Sequence, residues 1–399
     1  MKWPMVSLGN VIDFIRGITF KPTDVVPAFT HGSIVVMRTK NVQVAGLDCA
    51  DLISVSRDFM KREEQKLKYG DLLISSANSW ELVGKTSFVK KLDYEATAGG
   101  FISIVRAKKS KIESKYLYYW ITSPEIQHSI RHLGKQTTNI SNLDVARFKE
   151  LKIPLPPLEE QKRIAAILDK ADAIRQKRQQ AIALADDFLR SVFLDMFGDP
   201  VTNPKGWEIK NLSEIAKIQI GPFGSQLHKE DYISGGIPLI NPTHICNGKV
   251  EPDDDLTIAK NMYMSLPQYH LKAGDIVMGR RGEMGRCALI TTNEDGWFCG
   301  TGSLYIRPHA DVLFSKYLVQ LLSGDAIKEH LLAASLGATM PNLNKTIIGN
   351  IKIPIPNDLT LKKYEKFEKI HISLIKNTTN SNENELFCSL SQKAFSGQL

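Results

Sequence analysis

The sequence predicts a mixed α/β (α+β) protein in which two similar domains are joined by two long, antiparallel, coiled-coil-like helices with pseudo-twofold symmetry. Three observations lead to this prediction: an internal repeat, short β-rich runs inside each copy, and a long helical stretch after each copy. The predicted segments are the first domain 1–153, the central helix 154–199, the second domain 200–355 and the C-terminal helix 356–399.

The internal repeat is visible as residues that recur at a nearly constant spacing. Four residues near the N-terminus recur 204 positions later: Trp3, Leu8, Val11 and Gly17 match Trp207, Leu212, Ile215 and Gly221. The offset is still 204 between 67–73 and 271–277, and it is 200 between 152–156 and 352–356. A drift of only four residues indicates two copies of one domain with small loop insertions, and the period is far too long for a solenoid.

Each copy combines short strands with a helical stretch. The β-rich runs are bounded by Gly, Asp and Asn, which tolerate turn geometry, and they are Leu72–Ile74, Phe101–Val105, Asp275–Met278 and Ser303–Ile306. The helical stretches are Ser114–His132 and Ser315–Ala334. The loops differ most, as between Ser75–Lys85 and Gly279–Arg286. One scaffold that carries different loops would present two different recognition surfaces.

The central helix is predicted from its start signal and its apolar stripe. Pro154, Pro156 and Pro157 precede Glu159 and Glu160, which favour the positive end of a helix dipole. From there to Phe197 the sequence contains no Gly or Pro, so the 39 residues from Glu159 would form a helix roughly 58 Å long. Apolar residues recur near every 3.5 positions, as in a coiled coil. The residues expected to hold the helix pair together are Ile164, Leu168, Ile174, Ile182 and Leu189.

The C-terminal helix shows a similar apolar spacing. Leu361, Tyr364 and Phe367 begin the stripe, and Leu390 and Phe395 continue it near the end of the chain. Between them the run Asn377–Glu385 is rich in Asn, Thr, Ser and Glu, which weakens helix propensity, and a break or frayed turn is expected there.

Composition and charge narrow the function classes. The 399 residues are 43% hydrophobic and 24% charged, with no apolar run near the ~18 residues of a membrane span and no signal-peptide core, so a cytoplasmic protein without a membrane role is expected. The five cysteines are odd in number and never spaced CxxC, which speaks against a disulfide framework or zinc ribbon. The net charge is +8, and residues 1–157 hold 23 basic and 15 acidic side chains, whereas 198–356 hold 15 and 16. A basic first domain is typical of phosphate binding.

Candidate catalytic and metal motifs are weak. The loop Gly279–Gly285 lacks the trailing Lys-Ser/Thr of a phosphate-binding loop and the GxGxxG spacing of a dinucleotide site. His128 and His132 stand one turn apart on a predicted helix, but no third ligand is evident, so no metal site is expected. No catalytic constellation emerges.

Three stretches carry a resemblance to a known family. Ile153–Asp169 reads IPLPPLEEQKRIAAILD, Phe193–Pro200 reads FLDMFGDP, and Ser391–Leu399 reads SQKAFSGQL. Together with the duplicated domain and the Gly-Asp turn of each copy, they resemble the specificity subunits of type I restriction-modification systems across essentially the whole chain.

The resemblance implies a division of labour between subunits. Each globular copy would be a target-recognition domain reading one half of a bipartite, asymmetric site in double-stranded DNA. The paired helices would act as a ruler and as a docking platform for two methyltransferase subunits, which bind S-adenosylmethionine and methylate adenine N6. Restriction subunits would add motor-driven cleavage that uses ATP and Mg. This chain would then hold no cofactor and catalyse no step, and the target adenines would be flipped into the partner's pocket.

Polar loop residues at matched repeat positions are the candidate DNA contacts. In the first domain they are Ser76, Asn78, Ser79, Lys135, Gln136, Thr137, Thr138 and Asn139. In the second domain they are Gln226, Arg280, Arg281, Glu283, Thr339 and Asn344. Arg reads guanine bidentately and Glu can accept from cytosine N4, so the loop from Arg280 has chemistry suited to base readout. The same loop could instead be a solvated turn with a local ion pair.

Two other classes of function stay open from the residues alone. One is a repeat-built protein-interaction scaffold that does not bind DNA. The other is a single-chain DNA-modifying enzyme, which would need the cofactor motif that the sequence lacks.

Overall fold

The computed structural model describes residues 3–136, 140–223, 226–280, 285–334, 343–379 and 383–399. The chain divides into two compact units. Unit 1 comprises Met1–Ala181 with Thr378–Leu399, and unit 2 comprises Ile182–Asn377. Each unit therefore contains one globular copy and part of each long helical segment.

The described part of unit 1 contains short strands and five helices, one of them shared with unit 2. Its strands are β1 Met5–Ser7, β2 Ile12–Arg16, β3 Val26–Pro27, β4 Ser33–Met37, β5 Val42–Gln43, β6 Gly46–Leu47, β7 Ile53–Ser56, β8 Leu72–Ser75, β9 Ala77–Asn78, β10 Thr86–Phe88, β11 Ala96–Ala98, β12 Ile102–Ala107, β13 Lys135–Gln136, β14 Ser141–Asn142 and β15 Lys152–Pro154. Its helices are α1 Ser114–Thr122, α2 Pro124–His132, α3 Val145–Glu150, the first part of α4 Leu158–Phe197, and α11 Glu383–Ser396.

The central sheet of unit 1 has the order β10-β8-β12-β2 and is antiparallel. A second sheet has the order β11-β4-β7-β3, in which β11 and β4 are parallel. Side chains of a strand alternate between its two faces, and β8 is buried on both. Leu72 and Ile74 pack in the core that includes α1, whereas Leu73 packs in the core that includes β4. The central sheet thus lies between helices and the second sheet.

Unit 2 contains the corresponding elements. Its strands are β16 Glu208–Asn211, β17 Ala216–Ile220, β18 Tyr232–Ile233, β19 Ile237–Ile240, β20 Ile245–Cys246, β21 Lys249–Val250, β22 Thr257–Ile258, β23 Ile276–Gly279, β24 Cys287–Leu289, β25 Phe298–Cys299, β26 Ser303–Pro308 and β27 Lys352–Ile355. Its helices are the rest of α4, then α5 Leu212–Ile215, α6 Lys260–Ser265, α7 Val312–Ser323, α8 Asp325–Ala334, α9 Lys345–Gly349 and α10 Asp358–Thr379.

The two units share one topology. The order β24-β23-β26-β17 reproduces β10-β8-β12-β2, and β25-β19-β22-β18 reproduces β11-β4-β7-β3 with the same parallel pair. Tyr116 Oη donates to the Pro154 carbonyl over 2.9 Å, and Tyr317 Oη donates to Pro354 over 2.8 Å. The predicted duplication of a mixed α/β domain is confirmed.

Matched buried ion pairs fix the same turn in both units. Arg106 forms two hydrogen bonds of 2.7 Å with Asp71, and Arg307 forms two of 2.6 Å with Asp275. Each carboxylate follows a glycine with positive φ, Gly70 at 89° and Gly274 at 93°. The hydrogen bonds to Asp71 raise the pKa of the Arg106 guanidinium. The recurring Gly-Asp of the sequence is therefore a structural turn.

The recurring Gly17 and Gly221 mark places where two backbone segments approach closely. A Cβ on Gly17 would lie 2.2 Å from the Gly99 carbonyl oxygen, and one on Gly221 would lie 2.0 Å from that of Gly300. Gly17→Ala is expected to lower the free energy of unfolding by about 1–3 kcal/mol, because the backbone must shift. Gly100→Ala is the control, since its nearest neighbour would be at 3.4 Å. Equal thermal midpoints for the two variants would contradict this account.

The long helices pair in antiparallel fashion within each unit. In unit 1, α4 packs against α11 Glu383–Ser396: Arg163 donates to the Leu399 carbonyl over 2.8 Å, and Arg175 lies 5.0 Å from the Phe387 ring centre. In unit 2, α4 packs against α10: Asp186 bonds His371 over 2.7 Å, and the Phe197 and Tyr364 ring centres are 5.3 Å apart. In each unit, higher residue numbers of α4 thus contact lower residue numbers of its partner helix, as antiparallel packing requires.

Four of the five predicted seam residues are buried or half-buried, and Ile174 is not. Ile164, Leu168 and Leu189 are buried, Ile182 is half-buried, and Ile174 is 51% exposed. A helix turns about 100° per residue, which places Ile174 about 80° away from Ile164 around the axis. Arg175 occupies the stripe at that level instead. The coiled-coil spacing of 3.5 therefore misplaced Ile174.

A break is expected in the segment Asn377–Glu385. Both described ends of this segment are helical, since α10 continues to Thr379 and α11 begins at Glu383. Residues 380–382 of that prediction lie outside the described residues. Within the described ranges, no helix is both long enough and apolar enough to cross a membrane.

Candidate nucleic-acid interface

The two loop segments singled out in the first domain meet in one small sheet. Asn78 of β9 lies opposite Ser141 of β14, and β14 pairs in turn with β13, which contains Lys135 and Gln136. The order β13-β14-β9 brings segments more than fifty residues apart in sequence to the same edge of unit 1. The candidates Thr137, Thr138 and Asn139 lie outside the described residues, as do the side chains of Lys135 and Gln136.

The three candidates of the first loop are half-buried and hydrogen-bonded within unit 1. Ser76 Oγ donates to Ser103 Oγ over 2.7 Å, and Asn78 Nδ2 donates to Ser75 Oγ over 3.2 Å. The Ser79 backbone N–H donates to Asn78 Oδ1 over 2.9 Å. These contacts shape the loop, so its side chains are held in defined positions at the sheet edge.

Trp80 is an exposed tryptophan beside this sheet, and it is absent from the contacts predicted from the sequence. Trp80 is 41% exposed, and the Arg131 guanidinium lies 5.8 Å from its ring centre. The His132 ring meets it edge to face at 5.6 Å. The available signal was a tryptophan directly after a polar loop, together with basic residues just before β13.

In unit 2 the equivalent loop junction is formed by Arg280. Its carbonyl accepts from the Leu343 backbone N–H over 3.1 Å, as the Ser76 carbonyl accepts from Leu143 over 2.9 Å. Unlike Ser76, Arg280 also uses its side chain, because Nε donates to the Leu343 carbonyl over 3.1 Å and the residue is only 6% exposed. Arg280 therefore fixes the junction and is not presented as an open base-reading side chain.

The remaining candidates of the second domain differ in placement. Asn344 caps α9 by accepting from the Ile347 backbone N–H over 2.9 Å, and its counterpart Asp144 caps α3 in the same way. Gln226 is exposed and accepts from Tyr269 Oη over 2.8 Å. Asn344 thus has a structural role that explains the recurring polar residue. Arg281, Glu283 and Thr339 lie outside the described residues.

A lysine-rich cleft locates part of the first domain's basic charge. Its volume is about 370 Å³, and Lys66, Lys68, Lys90 and Lys91 are among its lining residues. Lys66 pairs with Glu95, whereas Lys90 and Lys91 are exposed. The strand register places Thr291 and Thr292 at the positions equivalent to Lys90 and Lys91. The two units therefore differ in charge at the same place on one scaffold.

Several described histidine and cysteine side chains that could ligate a metal or react are engaged or buried within the fold. In the part of the chain that the structure describes, no three His, Cys, Asp or Glu side chains are grouped as metal ligands. His132 Nδ1 is engaged with the His128 carbonyl at 2.8 Å. Burial raises the pKa of the Cys287 thiol to about 11 and also raises that of Cys299, which disfavours the reactive thiolate.

The fold and the site define a duplicated α/β protein whose two copies carry different polar loops at one edge. The family model for the type I restriction modification DNA specificity domain matches residues 1–184 and 204–385. The chain belongs to this family.

Relatives and solved structures agree with this assignment. The chain is 24% identical over 375 residues to the type I restriction enzyme MjaVIII specificity subunit of Methanocaldococcus jannaschii, covering 89% of this chain and 82% of the relative. It is 25% identical to the EcoKI specificity subunit of Escherichia coli K12, covering 82% and 70%. The crystal structure of a type I restriction-modification S subunit from M. genitalium aligns over 99% of this chain and 96% of that chain, with a TM-score of 0.55 and 17% identity.

Proposed function

We propose that this chain is the subunit that selects the DNA sequence for a type I restriction-modification complex. Each unit reads one half of a bipartite site in duplex DNA. The proposal rests on one observation: in each unit a backbone hydrogen bond joins two loop segments whose residues differ between the units. Leu143 donates to Ser76 in unit 1, and Leu343 donates to Arg280 in unit 2. Different side chains on one scaffold can read different base sequences, because readout depends on the groups that reach base edges.

The proposal assigns chemistry to other subunits. Methyltransferase subunits bind S-adenosylmethionine and methylate adenine N6, and restriction subunits use ATP and Mg for cleavage. This chain positions them on DNA in the cytoplasm and holds no cofactor itself. The exposed apolar side chains Leu184 and Phe188 on α4 support docking of a partner protein, since clustered exposed apolar residues mark interaction surfaces.

The first experiment maps methylated adenines in the host genome with and without this gene. Loss of one bipartite motif on deletion is expected, with recovery when the gene is restored. Replacing the unit 1 segments 76–79 and 134–142 together should change the bases that are recognised in one half-site. The bases recognised in the other half-site should stay the same. An unaltered methylation map after deletion would refute the proposal.

A second measurement separates DNA binding from a pure scaffold role. Affinity of the assembled complex for a duplex that carries the mapped motif should fall as salt rises, because basic residues displace counterions from the phosphates. A scaffold without a nucleic-acid role would ignore duplex DNA even at low salt. Adenine methylation by this chain alone would point instead to a single-chain enzyme.

A further inference from the structure

Trp80 is a large aromatic residue held in place yet open to solvent. It follows β9 by two positions, and its ring is contacted by Arg131 and by His132. These neighbours restrict the indole before any ligand arrives, so little side-chain freedom would be lost on binding. Its exposure and its fixed orientation together are typical of an aromatic contact residue.

The surroundings of Trp80 favour an anionic ligand. Arg131 and His132 end α2, and both lie against the indole ring. Glu81 is the acidic residue next to the indole in sequence, and it is exposed. The buried Nε of Arg131 has no hydrogen-bond partner among the described residues, so the guanidinium is not satisfied at that atom within the fold.

The same place in unit 2 carries different chemistry. Ile130 and Leu331 are equivalent fully buried residues of α2 and α8. The register therefore sets Leu332 and Ala333 where unit 1 has Arg131 and His132. Because the scaffold is common to both units, the aromatic and basic group is not needed to build it. Variation at a fixed scaffold position is what two readers of different sequences require.

We infer that Trp80 is a base-contacting residue of unit 1 and that Arg131 pairs beside it with a DNA phosphate. The inference rests on the proposed function and extends it to a contact outside the polar loop residues. In duplex DNA the base faces are stacked on one another, so the indole would meet the groove edge of a base, where the methyl group of thymine offers an apolar contact. The Arg131 guanidinium can donate hydrogen bonds to a phosphate while the guanidinium stays over the indole ring.

The test uses the full chain assembled with its methyltransferase subunits and a duplex that carries the mapped motif. Trp80→Ala is expected to weaken binding about tenfold or more, while Trp80→Phe stays within about threefold of the wild type, because phenylalanine keeps an aromatic surface for the apolar contact. Arg131→Ala is expected to weaken binding and to reduce the slope of log affinity against log salt concentration by about 1. Trp80→Ala should leave this slope unchanged. Phe29→Ala is the matched control, an exposed aromatic of unit 1 that follows β3 and does not line the lysine-rich cleft.

Thermal unfolding of each variant separates contact from folding. Wild-type midpoints would support the inference if Trp80→Ala loses tenfold in affinity, Arg131→Ala loses affinity with a smaller salt slope, and Phe29→Ala binds like the wild type. Equal affinities for Trp80→Ala, Phe29→Ala and the wild type would overturn it. So would equal losses in Trp80→Ala and Trp80→Phe with lowered midpoints, which indicate a structural role. Absence of binding by the wild-type complex would refute the proposed function itself, so the two failures are distinguishable.

Discussion

Adenine methylation at the mapped bipartite motif is expected to be lost when Leu184 and Phe188 are both replaced by aspartate. These side chains are 69% and 60% exposed and lie one turn apart on α4, so they form one apolar patch. A few central residues of an interface each cost about 2 kcal/mol or more when truncated, so two charges at such a patch should weaken methyltransferase docking roughly 100-fold or more. The measurement is the amount of methyltransferase retained on the tagged chain, followed by the methylation map.

The control for this variant uses the same helix. Ala183 is exposed and about 100° around the axis from Leu184, so Ala183→Asp adds a charge off the patch. It should leave docking and methylation unchanged. Leu184 and Phe188 are outside the buried core, whereas the adjacent Leu189 is part of it, so the double variant should unfold at the wild-type temperature. Full methyltransferase retention by the double variant would remove this surface from the proposal.

The fold was predictable because the recurring residues are those that the scaffold geometry requires. Gly17 and Gly221 stand where a side chain would meet a carbonyl oxygen. Tyr116 and Tyr317 recur because each hydroxyl bonds the carbonyl of a proline in the strand that precedes a long helix. Such constraints leave few alternatives for the residue, and they are therefore visible as matched positions in one sequence.

The candidate site was less predictable because loop side chains have no such periodic constraint. Arg280 has the chemistry of a base reader, yet its side chain bonds Leu343, more than sixty positions away in the sequence. Asn344 is polar because it caps a helix. Trp80 gave no repeat signal, since unit 2 lacks a matching aromatic in its sequence. Tertiary contacts decide which loop residues are presented, and spacing alone does not encode them.

Asp275→Ala is expected to lower the free energy of unfolding by about 3–5 kcal/mol, because it leaves the Arg307 guanidinium without its carboxylate. Asp275 is 1% exposed, and it also accepts from the Lys272 backbone N–H over 2.8 Å. Asp275→Asn should lose less, since the amide oxygen can still accept that hydrogen bond. The measurement is chemical unfolding of the full chain, followed by a probe in unit 2.

The comparison is with Glu208→Ala, which breaks an exposed ion pair of the same unit. Glu208 lies 3.3 Å from Lys210, and both side chains reach solvent, so a change of about 0.5 kcal/mol or less is expected. The matched pair in unit 1 provides a second test, because Asp71→Ala should destabilise unit 1 by a similar amount. If the Asp275 and Glu208 variants unfold at the same denaturant concentration, the recurring Gly-Asp turn does not stabilise the scaffold, and its recurrence would need a functional explanation.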